Sequence, residues 1–75
     1  MNADQQLDAQ GLNCPLPILK AKKALKGMDS GQVLEIVATD PGSVADFQAF
    51  CRTTGNEELD SSEADGIYTF YIKKT

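Results

Sequence analysis

Cys14 stands in the stretch Gly11-Leu12-Asn13-Cys14-Pro15-Leu16-Pro17. Gly11 permits a sharp turn, and the two prolines hold φ at about −65°, which suits the first turn of a helix. The sulfur is therefore expected at or near a helix N-terminus, beside unpaired N–H groups and the positive end of the helix dipole. A thiolate is stabilised in such a place, so the Cys14 thiol is expected below its ordinary pKa. The bland alternative is a small buried core residue, since free cysteine is among the most buried types.

The rest of the composition narrows what such a sulfur could do. The chain has no histidine, which removes Ser-His and Cys-His catalysis and every His-ligated metal. Two cysteines, Cys14 and Cys51, are too few for a thiolate-only zinc site, and no metal or organic cofactor is expected. No general acid or base lies near Cys14 in the sequence, which disfavours proteolysis, ester hydrolysis and phosphoryl transfer. Attack of sulfur on sulfur asks only for thiolate character and access. Cys14 thus fits sulfane-sulfur or disulfide exchange better than acyl chemistry.

The elements that must position this residue follow from periodicity. A short strand is expected over 6–9, and a helix over 15–26 with Ile18, Ala21, Leu25 and Met28 on one face. Asp29-Ser30-Gly31 reads as a turn, and 32–39 as a β-branched central strand. After Asp40-Pro41-Gly42, Ser43 is expected to cap a second helix that runs to about Thr54. Asp46 would be its capping-box partner or a complement to its dipole, and Gly55 its terminator. Val44, Phe47, Phe50 and Cys51 form that helix's apolar stripe, so Cys51 reads as core. A polar edge strand over 57–62, a turn at Asp65-Gly66 and a strong strand over 67–73 complete the chain. Tyr68, Phe70 and Ile72 alternate inward along the last strand.

The order βαβαββ implies an α+β fold. We expect a two-layer α/β sandwich, a four-stranded mixed sheet with two helices on one face. Seventy-five residues make a single domain with a small core, and residues 1–5 are expected as a flexible terminus. No run approaches the roughly 20 apolar residues of a bilayer span. The polar, acidic start is read as neither signal nor transit peptide, so a cytoplasmic protein is expected.

Net charge is −4, which argues against direct binding of nucleic acid or anionic membrane. Between residues 14 and 28, however, every charge is positive: Lys20, Lys22, Lys23 and Lys26. These lie opposite the apolar face of the first helix. They read either as a solvated helix surface or as a docking patch for acidic partner proteins, with Leu16 and Leu19 at its apolar centre.

The motif around Cys14, with Leu7-Asp8 before it, resembles the Cys-Pro-x-Pro signature of the TusA/SirA family of small sulfur-carrier proteins. Gly31 before an apolar strand, Thr39-Asp40-Pro41, the Phe50-Cys51 pair and the aromatic last strand are similar too, so the likeness spans residues 7–73. The resemblance implies a sulfurtransferase of the carrier type. Cys14 would take sulfane sulfur as a persulfide from a cysteine desulfurase or a rhodanese and pass it to a cysteine of an acceptor protein. It further implies service in tRNA thiolation, molybdenum-cofactor biosynthesis or dissimilatory sulfur oxidation. Gly11, Pro15 and Pro17 would shape the motif, and the carrier is expected as a monomer between partners. Two alternatives stay open: a thiol-disulfide redox protein, and a non-catalytic regulatory interaction module.

Overall fold

The computed structural model describes residues 3–75. The chain runs β1 (Gln5–Ala9), α1 (Leu16–Lys26), β2 (Val33–Ala38), α2 (Ser43–Thr54), β3 (Glu57–Ala64) and β4 (Ile67–Lys73). The strands lie in the order β1-β2-β4-β3 in one four-stranded sheet. β1 and β2 are parallel, joined by α1, whereas β4 is antiparallel to both β2 and β3. The sheet is thus mixed, as the element order requires.

Alternation along the strands sorts residues to two faces. Leu34, Ile36, Ala38, Phe70 and Ile72 point to one face and are buried there with Ala21 and Leu25 of α1 and Phe47 and Cys51 of α2. Both helices therefore cover that face. Phe47 is the hinge of the packing: its ring lies 4.8 Å from that of Phe70 and 6.3 Å, edge-on, from that of Phe50. The opposite face carries a polar row, with Gln6, Glu35, Tyr71 and Asp60 in register across the four strands. Glu35 accepts from Gln6 Nε2 at 3.0 Å and from the Tyr71 hydroxyl at 3.2 Å, so this row is cross-linked by its own side chains.

Local details differ from expectation in four places. Of the stretch expected to be loose, residues 1 and 2 lie outside the described residues. Gln5 is already in β1, and Asp4 is bonded both ways to Val33, donating its N–H to the carbonyl and accepting at Oδ2 (2.8 Å each). Pro15 is the N-cap of α1 and not its first helical residue. Ser43 is the first residue of α2, not its cap; its hydroxyl is buried without a hydrogen-bond partner. The N-cap is Gly42, with no side-chain cap, and Asp40 holds the turn before it: Oδ1 accepts from Gly42 N–H at 3.1 Å and the carbonyl accepts from Ser43 N–H at 2.9 Å. β3 runs on to Ala64 because a tight turn joins it directly to β4. Asp65 and Gly66 both have positive φ (54° and 80°), the two-residue geometry that matches strand twist. β3 is an edge strand with a bulge between Glu58 and Asp60 and four acids along it, features that discourage pairing with a further strand.

Candidate functional site

Parallel β1 and β2 finish at the same end of the sheet, so the turns that follow them are neighbours. Residues 10–15 follow β1, and residues 39–42 follow β2. Gly11, at φ 79°, turns the first loop and donates its N–H to Thr39 Oγ1 at 2.9 Å. Cys14 donates its N–H to Asp40 Oδ2 at 2.8 Å. Asp40 therefore binds the cysteine loop with one oxygen and the start of α2 with the other. The Cys14–Pro15 peptide is cis, and Pro17, the second residue of α1, is fully buried. Pro15 is the N-cap of the helix that follows Cys14.

Cys14 is exposed, and Cys51 is buried in the core; both are free thiols. The electrostatics at Cys14 reverse the expectation from sequence: the thiol is pushed up, not down. The first cause is the Asp46 carboxylate, which favours the protonated thiol; partial desolvation and the charges of Asp46 and Asp40 add to it. The expected stabilisation fails because the sulfur does not cap α1. The N-cap is Pro15, with no side-chain cap, and the Leu16 and Leu19 N–H groups are taken by the carbonyls of Asn13 (2.8 Å) and Pro15 (3.1 Å). The charged groups nearest the sulfur are carboxylates from the other helix and its leading loop.

A groove of about 440 Å³ opens between the two helices with Cys14 at its mouth. Ile18, Leu19 and Lys22 line it from α1, and Ala49, Phe50 and Thr53 from α2. Asp46 is the single acid on its wall and Lys22 the single base. The Cys51 thiol, by contrast, is pushed up to about 11 by burial, with the Glu58 charge second. It faces the core from α2.

The structure gathers only part of the expected docking set around the sulfur. Leu16 and Leu19 are exposed (47% and 53%), and Lys20, Lys22, Lys23 and Lys26 are exposed on the same arc of α1. Leu19 and Lys22 reach the groove; Leu16, Lys20, Lys23 and Lys26 do not line it. Lys22 and Lys26 instead border a second cleft of about 380 Å³ with Lys74, whose Nζ donates to the Leu25 carbonyl at 2.8 Å. Sequence reasoning missed Asp40 and Asp46 as site residues. Asp40 read as a chain break before Pro41-Gly42 and as part of the family likeness, with no role at the site. The signal that could have found it is the parallel pairing itself, which sets the residue after β2 beside the loop after β1. Among the described residues, no group of three or more potential ligands gathers as a metal site would need, and no helix is long and apolar enough to cross a membrane.

Comparison with known proteins agrees with this geometry. The family model described as "Sulfurtransferase TusA" matches residues 5–74. A "Sulfur carrier protein TusA" from Allochromatium vinosum is 64% identical over 72 residues, covering 96% of this chain and 95% of the relative. Another protein of that description, from Pseudomonas entomophila, is 41% identical over 71 residues, 95% of this chain and 89% of its own. The crystal structure of a SirA-like protein from Desulfitobacterium hafniense superposes with a TM-score of 0.81 at 28% identity, covering 92% of this chain and 95% of that one. The shared architecture is the two-helix, four-stranded mixed sheet described above.

Proposed function

Since the chain belongs to the TusA family of sulfur carriers, we propose that it relays sulfane sulfur as a persulfide on Cys14. The observation that carries this reading is the exposed free thiol of Cys14 at the mouth of an apolar groove, on a loop fixed by Gly11 and Asp40. A reactive group that must meet two different proteins in turn has to stand clear of its own fold.

The chemistry balances without a cofactor. Cys14 loses its proton to solvent, and the thiolate attacks the outer sulfur of a donor's cysteine persulfide. A bond forms between Cys14 Sγ and that sulfur, the donor's S–S bond breaks, and the donor cysteine leaves as a thiolate that takes a proton. In the second step an acceptor thiolate attacks the outer sulfur of the Cys14 persulfide, and Cys14 is the leaving group. No net oxidation occurs. A cysteine desulfurase or a rhodanese suits the first partner. The acceptor is a cysteine of a second protein, in tRNA thiolation, molybdenum-cofactor biosynthesis or dissimilatory sulfur oxidation. The protein is a sulfurtransferase in the sense that it moves sulfur between partners and cannot turn over alone. A monomer in the cytoplasm suits this role.

Leu19 beside the groove and the exposed lysines of α1 support docking against acidic partner surfaces, with Leu16 extending the apolar centre. Charges on this arc would act chiefly on the rate of encounter.

Incubation of the reduced protein with a sulfane-sulfur donor, followed by intact mass, tests the assignment. Gain of one sulfur, mapped to Cys14 and lost in Cys14→Ser, is the expected result. Loss of two hydrogens would instead point to a disulfide between the two cysteines and a redox role. Partner transfer that survives in Cys14→Ser would favour a non-catalytic interaction module.

A further inference from the structure

The groove at Cys14 and the cleft at Lys74 are two parts of one crevice between α1 and α2, since Lys22, Phe50 and Thr54 border both. Ile18, Leu19, Lys22, Leu25 and Lys26 face it from α1 at helical spacing, and the stripe from Asp46 to Thr54 faces it from α2. Along α1 it runs from Pro15 to Lys26, about 16 Å at the rise of a helix.

The crevice changes character along this length. At the Cys14 end its walls are largely apolar, with Ile18, Leu19 and Ala49 on them and Asp46 as the one acid. At the far end Lys22, Lys26 and Lys74 line it, with no acidic side chain beside them. Lys74 is held there by its bond to the Leu25 carbonyl at 2.8 Å. Lys26 and Lys74 also complement the C-terminal end of α1. A carboxylate brought into the cleft would be drawn by all three cations.

We propose that the crevice is a docking track for an extended segment of a sulfur-exchange partner. The segment sets its cysteine at Cys14, an apolar side chain beside Leu19 and Phe50, and carboxylates four to five residues from the cysteine against Lys22, Lys26 and Lys74. This rests on the sulfur-carrier reading and names the partner chemistry that reading requires. The spacing follows from length: an extended chain advances about 3.3 Å per residue, so about five residues span the crevice. A helix of that length, about 10 Å across, would occupy roughly 1,200 Å³. That is more than the groove of about 440 Å³ and the cleft of about 380 Å³ offer together. The polarity follows from charge. Carboxylates close to the cysteine would meet Asp46, whereas at the far end they meet cations.

The test uses no sulfane donor, so it stands apart from the persulfide assignment. Synthetic peptides, capped at both ends, carry a cysteine as its mixed disulfide with thionitrobenzoate and a leucine two residues away. Two glutamates stand either four and five residues from the cysteine or nine and ten, beyond the reach of the crevice. Each peptide is made in both chain directions, since the crevice fixes a spacing and not a direction. The Cys14 thiol loses its proton to solvent, its sulfur bonds to the peptide cysteine, and thionitrobenzoate leaves as a coloured thiolate that reports the rate. With Cys51→Ala as the parent and at low ionic strength, the near-glutamate peptide should react about fivefold faster in at least one direction, the scale of two exposed ion pairs. Lys22→Gln/Lys26→Gln should bring that ratio close to one. Lys20→Gln/Lys23→Gln removes two charges from the same arc that do not line the crevice, and the ratio should persist. Serine in place of the peptide's leucine should slow the near-glutamate peptide about threefold or more, as for a leucine partly withdrawn from water. Circular dichroism checks the fold of each variant, and single Lys22→Gln and Lys26→Gln replacements, each halving the logarithm of the ratio, serve if the double variant is unfolded. Equal rates for the two glutamate spacings in both directions overturn the track. So does a ratio that survives loss of Lys22 and Lys26, one that falls as far without Lys20 and Lys23, or a rate indifferent to the peptide's leucine.

Discussion

The backbone of Cys14 and its sulfur answer to different carboxylates. Asp40 fixes the amide at 2.8 Å, and Asp46 acts on the thiol. The first interaction is structural and can be removed alone. Asp40→Ala leaves the N–H groups of Cys14 and Gly42 without their acceptor, although both are near enough to solvent to recover part of the loss. We expect a destabilisation of about 1–2 kcal/mol, read as a lowered urea midpoint, together with slower persulfide transfer. A variant with full stability and unchanged transfer would mean that the loop keeps its shape without Asp40.

At the scale of elements, the sandwich depends on α2 lying across β4. Phe47 is fully buried and stacks against Phe70. Phe47→Ala should cost about 3–5 kcal/mol in an equilibrium denaturation experiment, enough to unfold much of a domain this small at ambient temperature. The apolar stripes made these elements legible in the sequence. Ala21 and Leu25 on α1, Phe47 and Cys51 on α2 and Phe70 and Ile72 on β4 all face the core. Gly55, at φ 81°, ends α2 with its N–H on the Cys51 carbonyl at 2.9 Å, as its residue type suggests. The start of α2 was not legible, because Ser43 looks like a cap by residue type, whereas the N-cap is Gly42 and Asp40 accepts from the Gly42 and Ser43 N–H groups. The protonation of Cys14 was illegible for a similar reason. A local reading weighs the helix that follows the cysteine, whereas the charges that govern it come from the other helix, and their approach is set by strand pairing far along the chain.

For the whole molecule, alkaline conditions act through groups held protonated by the fold. Cys51 ionises in the native state at about 11 against an ordinary 9.0. Above pH 9 the unfolded chain therefore loses that proton while the native state keeps it, so stability falls as pH rises toward 11. Tyr71, pushed up by partial burial and by Glu35, acts in the same direction. The urea midpoint should decline over this window, and more shallowly in Cys51→Ala, whose lower overall stability is separated from the effect by comparing slopes. An equal slope in both proteins would assign the decline to Tyr71 and other groups. Asp40, finally, fastens the sulfur-bearing turn with one oxygen and the head of α2 with the other. The two segments are coupled mechanically as a lever is to its fulcrum. One carboxylate thus ties the position of the sulfur to the position of the other helix's head.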